Sequence, residues 1–389
     1  MQPVNAKLQR NISFGLFLAI NFLFSIKYFG RYTAYYFPLA MGLTAVYTAI
    51  WHFSPVFSKL GIFSRYFQLF AIGGLIIASS FVFQRLPQDS INVDRWSVIV
   101  SFWDSFFRGE YVYFAKSHLG NLPGPMPVYF IIALPFYLIG EIGYLTLLGP
   151  VAFLAVLRYE KWDVGVQNAS LVLILGSTFF AWEVAARSAL FLNSSLVLFA
   201  IVYFLENAAK KGNRGLFISA LLIGLCMSTR NVYVIPFLVA MLFALRRRLI
   251  STLEFLIIGI AAFAVFAATF IPFVVGHFDE FLVMNPFIIQ GTQLIPFSYV
   301  LIFVAASFVA GVLAKSSSDV YFYSGLILFA TVVSHFYYKF VSGEAGINEL
   351  LLRNVADISY FVLSAPFLLY RSFRSDVGEP EISTAYREL

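Results

Sequence analysis

Residues 92–111 read NVDRWSVIVSFWDSFFRGEY and open the longest polar interruption in an otherwise apolar chain, which continues to Pro127. Large apolar side chains recur in it at helical spacing, at Trp96, Ile99, Val100, Trp103, Phe106 and Phe107. Polar side chains fall on the opposite face, at Asp94, Ser97, Ser101, Asp104 and Arg108. Gly109 then ends the pattern, as a glycine after a helix does. We expect a short amphipathic helix lying on a membrane surface, with its aromatic side toward the membrane. The alternative is a solvated loop that contains acids.

The composition decides the class of protein. Of 389 residues, 60% are hydrophobic and only 12% are charged, too few charges to cover a soluble core. The apolar runs are long and continuous, which predicts an all-α polytopic membrane protein. The single cysteine, Cys226, lies in an apolar run and excludes an internal disulfide framework. We expect the first apolar segment to be a retained helix, since no small-residue cleavage site follows it.

About twelve apolar segments have lengths near the ~20 residues of a bilayer crossing, although some are shorter. The expected segments are 12–28, 35–52, 67–83, 126–157, 170–182, 189–205, 216–227, 232–245, 255–273, 297–313, 321–337 and 358–370. These boundaries divide the chain into N-terminal transmembrane helices (1–84), an extracytoplasmic loop with a juxtamembrane helix (85–127), a transmembrane core (128–371) and a cytoplasmic tail (372–389).

The basic residues predict the orientation. With the N-terminus inside and one net crossing over 126–157, the basic turns at 210–214 and 246–248 both face the cytoplasm. Two crossings over 126–157 would turn both outward. We therefore expect one crossing plus a re-entrant or surface piece, and Pro127 and Pro135 favour its first half for the irregular part. The loop that carries Asp94 then faces outward.

Asp94 is the first candidate for catalysis. A carboxylate at the membrane boundary can act as the general base on a hydroxyl that attacks a lipid-linked sugar. Its other explanation is a helix N-cap, a position that Asp favours.

Arg187 and Arg230 each lie at the expected outer end of an apolar segment, where an unpaired charge is expensive. A guanidinium suits a phosphate or pyrophosphate on a polyprenyl carrier, so both are candidates for donor-phosphate binding. The alternative for each is snorkelling to lipid headgroups.

A second group of polar residues on the expected outer side is a candidate for binding substrate: Asp104, Glu110, Lys116, His118 and Arg353. The histidines are not spaced as a helical pair, and a metal site is not expected.

The pattern of residues resembles the GT-C fold integral membrane glycosyltransferases. Asp94, Trp96 and the run Gly109-Glu110-Tyr111 are similar to the first periplasmic loop of that superfamily, and a proline-rich segment at 123–129 follows. Thr229-Arg230 stands where many members have Thr-Lys. The resemblance covers roughly residues 94–245. It implies that Asp94 is the base and that Arg230 contacts the donor phosphate.

Four departures set this chain apart. Arg95 replaces an acid common next to the first aspartate, no Asp-x-Asp pair occurs, two additional spans precede the loop, and no soluble C-terminal domain follows. The acceptor and any role of a metal are therefore left open.

The resemblance leads us to expect an inverting hexosyltransferase of the bacterial inner or plasma membrane. It would move a mannose-like hexose from a polyprenyl-phosphate-linked sugar to a hydroxyl of a glycan or lipid acceptor on the extracytoplasmic face. We expect contact with membrane lipids, no nucleic acid and no cofactor, with a divalent metal not indicated. The alternatives are an arginine-based polymerase or ligase of lipid-linked glycans and a lipid or polysaccharide transporter.

Overall fold

The computed structural model describes residues 6–59, 65–293, 296–344, 346, 349–350 and 356–374, in which helices are joined by turns and loops. Its α-helices in chain order are α1 Ala6–Phe29, α2 Tyr36–Lys59, α3 Arg65–Arg85, α4 Arg95–Phe107, α5 Pro127–Leu138, α6 Leu148–Tyr159, α7 Val164–Leu175, α8 Thr178–Ala186, α9 Leu190–Lys210, α10 Asn213–Met227, α11 Val234–Arg246, α12 Thr252–Ala268, α13 Ile271–Val274, α14 Phe278–Val283, α15 Pro286–Gln293, α16 Phe297–Leu313, α17 Ser317–Val341 and α18 Ala365–Phe373. Short 3-10 turns include Ile142–Leu145 before α6, Asn231–Tyr233 before α11 and Ile358–Ser364 before α18.

Six segments are long and apolar enough to cross a membrane, and a seventh is added if α7 and α8, bent by 59°, form one broken span. The six are Ala6–Phe29, Tyr66–Arg85, Ile142–Tyr159, Leu190–Lys210, Thr252–Val274 and Ser317–Val341. The chain is thus a multi-span helical membrane protein. Within the described residues, length and apolarity support six or seven crossings, and the twelve expected from the sequence are not shown. The segments α10, α11, α16 and Ile358–Phe373 are shorter, and α2 is not among the candidate spans.

The region 126–157 contains one candidate span and one helix beside α4. Pro127–Leu138 runs along α4: the Tyr137 hydroxyl donates to Asp104 at 2.6 Å, and the two helices pack together. Ile142–Tyr159 then provides the candidate span. The first half, expected to be irregular, is thus a short regular helix, and the single net crossing over 126–157 stays a prediction.

Small residues let the long helices approach closely. A Cβ at Gly224 of α10 would collide with the carbonyl oxygen of Ala262 in α12, and one at Gly311 of α16 would lie 2.9 Å from the carbonyl oxygen of Val239 in α11. Backbone proximity of this kind is how helices associate where lipid removes the hydrophobic drive. Cys226 lies in the same packed region and is 7% exposed.

Helix α4 forms where the sequence predicts it and ends in a Schellman motif. Gly109 has a φ of +72°, and the amide of Glu110 donates to the Ser105 carbonyl at 2.9 Å. The orientation of the aromatic face differs from the expectation. Phe102, buried on that side, stacks on Phe130 of α5 at 3.6 Å. Phe107 keeps 60% exposure. The aromatic side therefore packs mainly on protein, because α5 and α13 cover it.

The two ends of the helical bundle carry different polar groups. We call the end where α4 lies the α4 end. At the other end, Gln9 of α1 donates to Asp319 of α17 at 2.6 Å, and Arg371 of α18 donates to Gln9 at 3.1 Å. The Arg10 side chain also donates to the Ser372 carbonyl at 3.3 Å. These bonds tie the first described helix to the last.

Candidate functional site

Asp94 occupies the N-cap position of α4, but its side chain does not cap the helix. Its Oδ2 instead accepts hydrogen bonds from the Ser117 hydroxyl at 2.8 Å and the Asn121 amide at 2.7 Å. Within the described residues its Oδ1 accepts none. The capping explanation for this aspartate therefore does not describe what the carboxylate does, and one oxygen is left to take a proton.

A tight loop supplies the partners of Asp94. The Ser117 amide donates to the Asn121 carbonyl at 2.9 Å, and the Gly120 amide donates to the Ser117 carbonyl at 2.8 Å. Gly120 has a φ of +81°, a conformation that glycine adopts without strain. The hydrogen bonds within the loop thus hold the Ser117 hydroxyl and the Asn121 side-chain amide in position.

Lys116 and His118 project from this loop and are exposed. The His118 ring stacks on Trp96 at 5.2 Å and 21°, and its Nδ1 lies 2.7 Å from the Ser97 hydroxyl. The Trp96 indole in turn donates to the Gln88 carbonyl at 3.0 Å. The structure thus brings two predicted substrate-binding residues next to the candidate base.

Arg95 extends to the C-terminal part of the chain. Its Nη2 donates to Asp357 at 2.7 Å and to the Ser359 hydroxyl at 2.9 Å, and its guanidinium lies 5.0 Å from the Tyr360 ring centre. Burial opposes the charge of Asp357, but the charge of Arg95 and the hydrogen bonds from Ser359 outweigh it, so the pKa of this carboxyl lies below its ordinary value.

Arg230 is the second guanidinium beside the same ring. It is 8% exposed, and it lies 5.8 Å from the Tyr360 ring centre and 6.0 Å from that of Tyr129. Its buried Nε has no hydrogen-bond partner, and no carboxylate among the described residues pairs with it. A guanidinium this buried, with two aromatic rings beside it and an Nε without a partner, is costly, and an anion is the kind of ligand that it suits.

The backbone sets the position of Arg230. The amides of Met126 and Val128 donate to the carbonyls of Thr229 and Ser228 at 3.2 and 2.9 Å. These bonds join the proline-rich segment before α5 to the end of α10. They explain how residues about a hundred positions apart in the sequence place Tyr129 against Arg230.

The connection between α12 and α16 covers this region. The Gln290 side chain of α15 donates to the Gly124 carbonyl and accepts from the Asn231 amide at 3.3 Å. Ile289 beside it is buried. Helix α15 is therefore fastened next to Arg230 through one carboxamide.

Lys27 brings a third buried cation to the α4 end. It is 2% exposed, and its attractive electrostatic partner is Asp357. In the part of the chain described, it forms no ion pair within 4 Å. The sequence offered no explanation for a lysine at this position, which the positive-inside rule disfavours on the expected outer side.

Arg187 lies elsewhere and its donors are used. It is 1% exposed and pairs with Glu141 at 3.1 Å; its Nη2 also donates to the Leu86 carbonyl at 3.0 Å and the Phe83 carbonyl at 3.3 Å. Its φ of +53° is unusual for a residue other than glycine. This environment suits a structural anchor and does not favour the phosphate-binding role that the sequence suggested.

The other predicted substrate-binding residues are more distant. Asp104 accepts from Tyr137 at 2.6 Å and stands ten residues, about 15 Å of helix, beyond Asp94. Glu110 pairs with Arg108 at 2.8 Å on the exposed surface. Arg353 lies outside the described residues. Lys116 and His118 thus belong to the loop that binds the Asp94 carboxylate, whereas Asp104 and Glu110 lie toward the far end of α4.

Sequence reasoning missed most of the partners in this cluster: Lys27, Ser117, Asn121, Tyr129, Gln290, Asp357, Ser359 and Tyr360. The unexplained Lys27 was a signal for one of them. Among the described residues, no three His, Cys, Asp or Glu side chains lie close enough together to hold a metal ion.

No protein-family model matches the chain, and comparison with curated proteins and with solved structures finds no match either. The resemblance to GT-C glycosyltransferases therefore depends on the sequence motifs alone.

Proposed function

We propose that the protein is a membrane glycosyltransferase that moves a hexose from a polyprenyl-phosphate-linked donor to an acceptor hydroxyl on the extracytoplasmic face. The observation that carries this proposal is Arg230, a buried guanidinium with no anionic partner among the described residues, in the same cluster as Arg95. Asp94, the candidate base, directly precedes Arg95 in the sequence, and Arg95 shares the Tyr360 ring with Arg230.

Asp94 acts as the general base. The acceptor hydroxyl gives its proton to the free Oδ1 while its oxygen forms a bond to the anomeric carbon. The bond between that carbon and the phosphate oxygen breaks, and the electron pair leaves with the polyprenyl phosphate. Ser117 and Asn121 hold Oδ2 and so orient the carboxylate. Attack from the face opposite the leaving group inverts the sugar.

Arg230 stabilises the leaving phosphate. Its charge is already desolvated and directed by aromatic rings, so the developing negative charge meets a preorganised cation. Arg95, whose guanidinium also lies near the Tyr360 ring, contributes a second positive charge. His118 and Lys116, next to Asp94, are placed to contact the acceptor.

The proposed orientation puts the α4 end outside and both chain termini in the cytoplasm. With α7 and α8 counted as one broken span there are seven spans, and α2, α10, α11, α16 and Ile358–Phe373 would complete twelve crossings. The basic turns at 210–214 and 246–248 then face the cytoplasm, which supports this assignment.

The alternative of an arginine-based polymerase or ligase is less favoured. It depends on arginines such as Arg187 being open to a ligand, whereas Arg187 is closed by Glu141 and two backbone carbonyls. A transporter is less favoured too, because the sequence pattern shows almost no charge in the middle of the long apolar segments.

The test is Asp94→Asn in purified protein supplied with a panel of polyprenyl-phosphate sugars. We expect the variant to fold and bind donor normally but to lose release of the bare carrier by at least about a hundredfold, the low end for losing a base. The matched control is Asp163→Asn, an aspartate that does cap its helix through the Gly165 amide at 2.8 Å, where Asn caps equally well. Full transfer by Asp94→Asn, or no release by the unaltered protein with any donor, would refute the proposal.

A further inference from the structure

Three largely buried cations lie at the α4 end, and the partly exposed carboxylate of Asp357 forms an ion pair with one of them. Asp357 pairs with Arg95 at 2.7 Å and attracts Lys27. Arg230 shares the Tyr360 ring with Arg95 and has no ion pair among the described residues. Arg230 therefore lacks a carboxylate at ion-pair distance within the described residues, and a buried cation without a counter-ion is unfavourable.

The two side chains of the Arg95–Asp357 ion pair differ in their exposure to solvent. The Asp357 side chain is 44% exposed, whereas Arg95 is 12% exposed. Asp357 is anchored through Oδ1, which accepts from the Ser359 amide at 2.8 Å, and it holds Arg95 through Oδ2. Since only one oxygen engages Arg95, the ion pair can open without unfolding the turn that follows Asp357.

We infer that Asp357 is a resident counter-ion: it holds Arg95 in the empty protein and yields it to the phosphate of the lipid-linked donor. This inference rests on the proposed function, because the anion that displaces the carboxylate is the donor phosphate bound at Arg230. Lys27 then becomes the cation that neutralises the released carboxylate. The buried lysine, unexplained by the sequence, acquires a role as the receiving partner.

The displacement sets the affinity of the site. Every phosphate that binds Arg95 must first break a charge-assisted hydrogen bond to Asp357, which lowers affinity and lets the phosphate product leave. Asp357 is thus a positioning residue. Its removal should raise the affinity for the phosphate, whereas removal of a residue that contacts the substrate should lower it.

The experiment measures binding of farnesyl phosphate to the full-length protein in detergent micelles. We expect Asp357→Asn to bind it roughly tenfold more tightly, since the competing carboxylate is neutral. The control Glu344→Gln removes an acid from an exposed pair with Lys339 and should leave the dissociation constant unchanged. In the transfer assay, Asp357→Asn should lower KM for the donor and lower kcat, because the phosphate product leaves more slowly.

A double-mutant cycle tests the role of Lys27. Lys27→Met should weaken binding about threefold when Asp357 is present and have little effect in Asp357→Asn, a coupling expected only if the two residues act together. Additive effects of the two changes would show that Lys27 does not neutralise the released Asp357 carboxylate.

A second variant covers the case in which Asp357→Asn does not fold. Ser359→Ala keeps the charge of Asp357 but removes the hydroxyl that Arg95 donates to at 2.9 Å. It should tighten binding by about twofold to threefold, the effect of one hydrogen bond. If folded Asp357→Asn, or Ser359→Ala in its place, binds the phosphate no more tightly than the unaltered protein, the inference is wrong while the proposed function stands. If the unaltered protein does not bind farnesyl phosphate, both fail.

Discussion

The surroundings of Arg187 and of Arg230 differ although the sequence places the two alike. Each ends an apolar segment, yet Arg187 has a carboxylate and several carbonyl partners, whereas Arg230 has two aromatic rings and an unsatisfied nitrogen. A buried cation with all its partners is part of the fold. A buried cation without them indicates a ligand, and the difference separates a structural arginine from a candidate binding residue.

The opposite end of the bundle supports the same distinction. There Arg371 is fully buried, and it donates to Gln9 and to the Ala6 carbonyl at 3.1 Å each. Gln9 in turn donates to Asp319. That network joins three helices, and its charged groups bind to other groups of the protein. At the α4 end, by contrast, the buried Arg230 has an Nε without a hydrogen-bond partner and forms no ion pair within the described residues.

The largest effect is expected for Arg187→Ala. It leaves Glu141 without its cation and leaves several carbonyls unpaired, so we expect the free energy of unfolding to fall by about 3–5 kcal/mol. The measurement is thermal unfolding in detergent, with the exposed Arg85→Ala as the control for loss of a positive charge. Unchanged stability together with lost donor binding would make Arg187 a ligand residue and erase the contrast.

Arg230→Met should affect binding and spare the fold. Because the residue has no counter-ion in the described structure, its loss should leave the unfolding temperature the same or higher. Binding of farnesyl phosphate should weaken on the order of a hundredfold, as expected for a buried charge that meets its partner. A drop in stability as large as that of Arg187→Ala would show instead that Arg230 is structural.

A smaller, purely structural effect is expected at the opposite end. Asp319→Ala removes the carboxylate that accepts from the Ser316 amide in the capping box and from Gln9, so the free energy of unfolding should fall by about 1–2 kcal/mol. Glu254→Ala removes the matching carboxylate from the capping box of α12. It should lower the free energy of unfolding by less than Asp319→Ala does. Any change in phosphate affinity in Asp319→Ala would contradict the division of roles between the two ends.

The smallest effect is a pH dependence from Asp357. Its pKa is below the ordinary value of 3.8, so its contribution to stability is complete above that value and is lost as pH falls through the lowered pKa. Between neutral pH and pH about 5, the unaltered protein and Asp357→Asn should keep a constant difference in unfolding temperature. The difference should shrink only in stronger acid. A change centred near neutral pH would assign the titration to another group.

Local patterns in the sequence predicted local structure well. The apolar spacing from Trp96 to Phe107 and the glycine after it predicted α4 to within a residue or two of its ends, because helical periodicity is a property of neighbouring residues. The two prolines at 127 and 135 lie in the half of 126–157 that forms a short helix, and the other half contains the candidate span Ile142–Tyr159.

The partners in the site were beyond such patterns. Asp94 meets Ser117 and Asn121 through a loop, and Arg95 meets Asp357 from the other end of the chain. Pairing at these separations is set by how helices pack, which one sequence does not record. The same limit kept Arg187 and Arg230 equivalent until their neighbours were known, and it hid the protein surface that covers the aromatic side of α4.

The burial of Cys226 has a practical consequence for testing the orientation of the chain. As the only thiol, and one packed between helices, it should be silent toward a membrane-impermeant maleimide. Single cysteines introduced at Lys116 and at Arg247 could then be labelled in intact cells against a blank background, without first engineering a thiol-free version. Labelling at the first position alone would place the α4 end outside the cell.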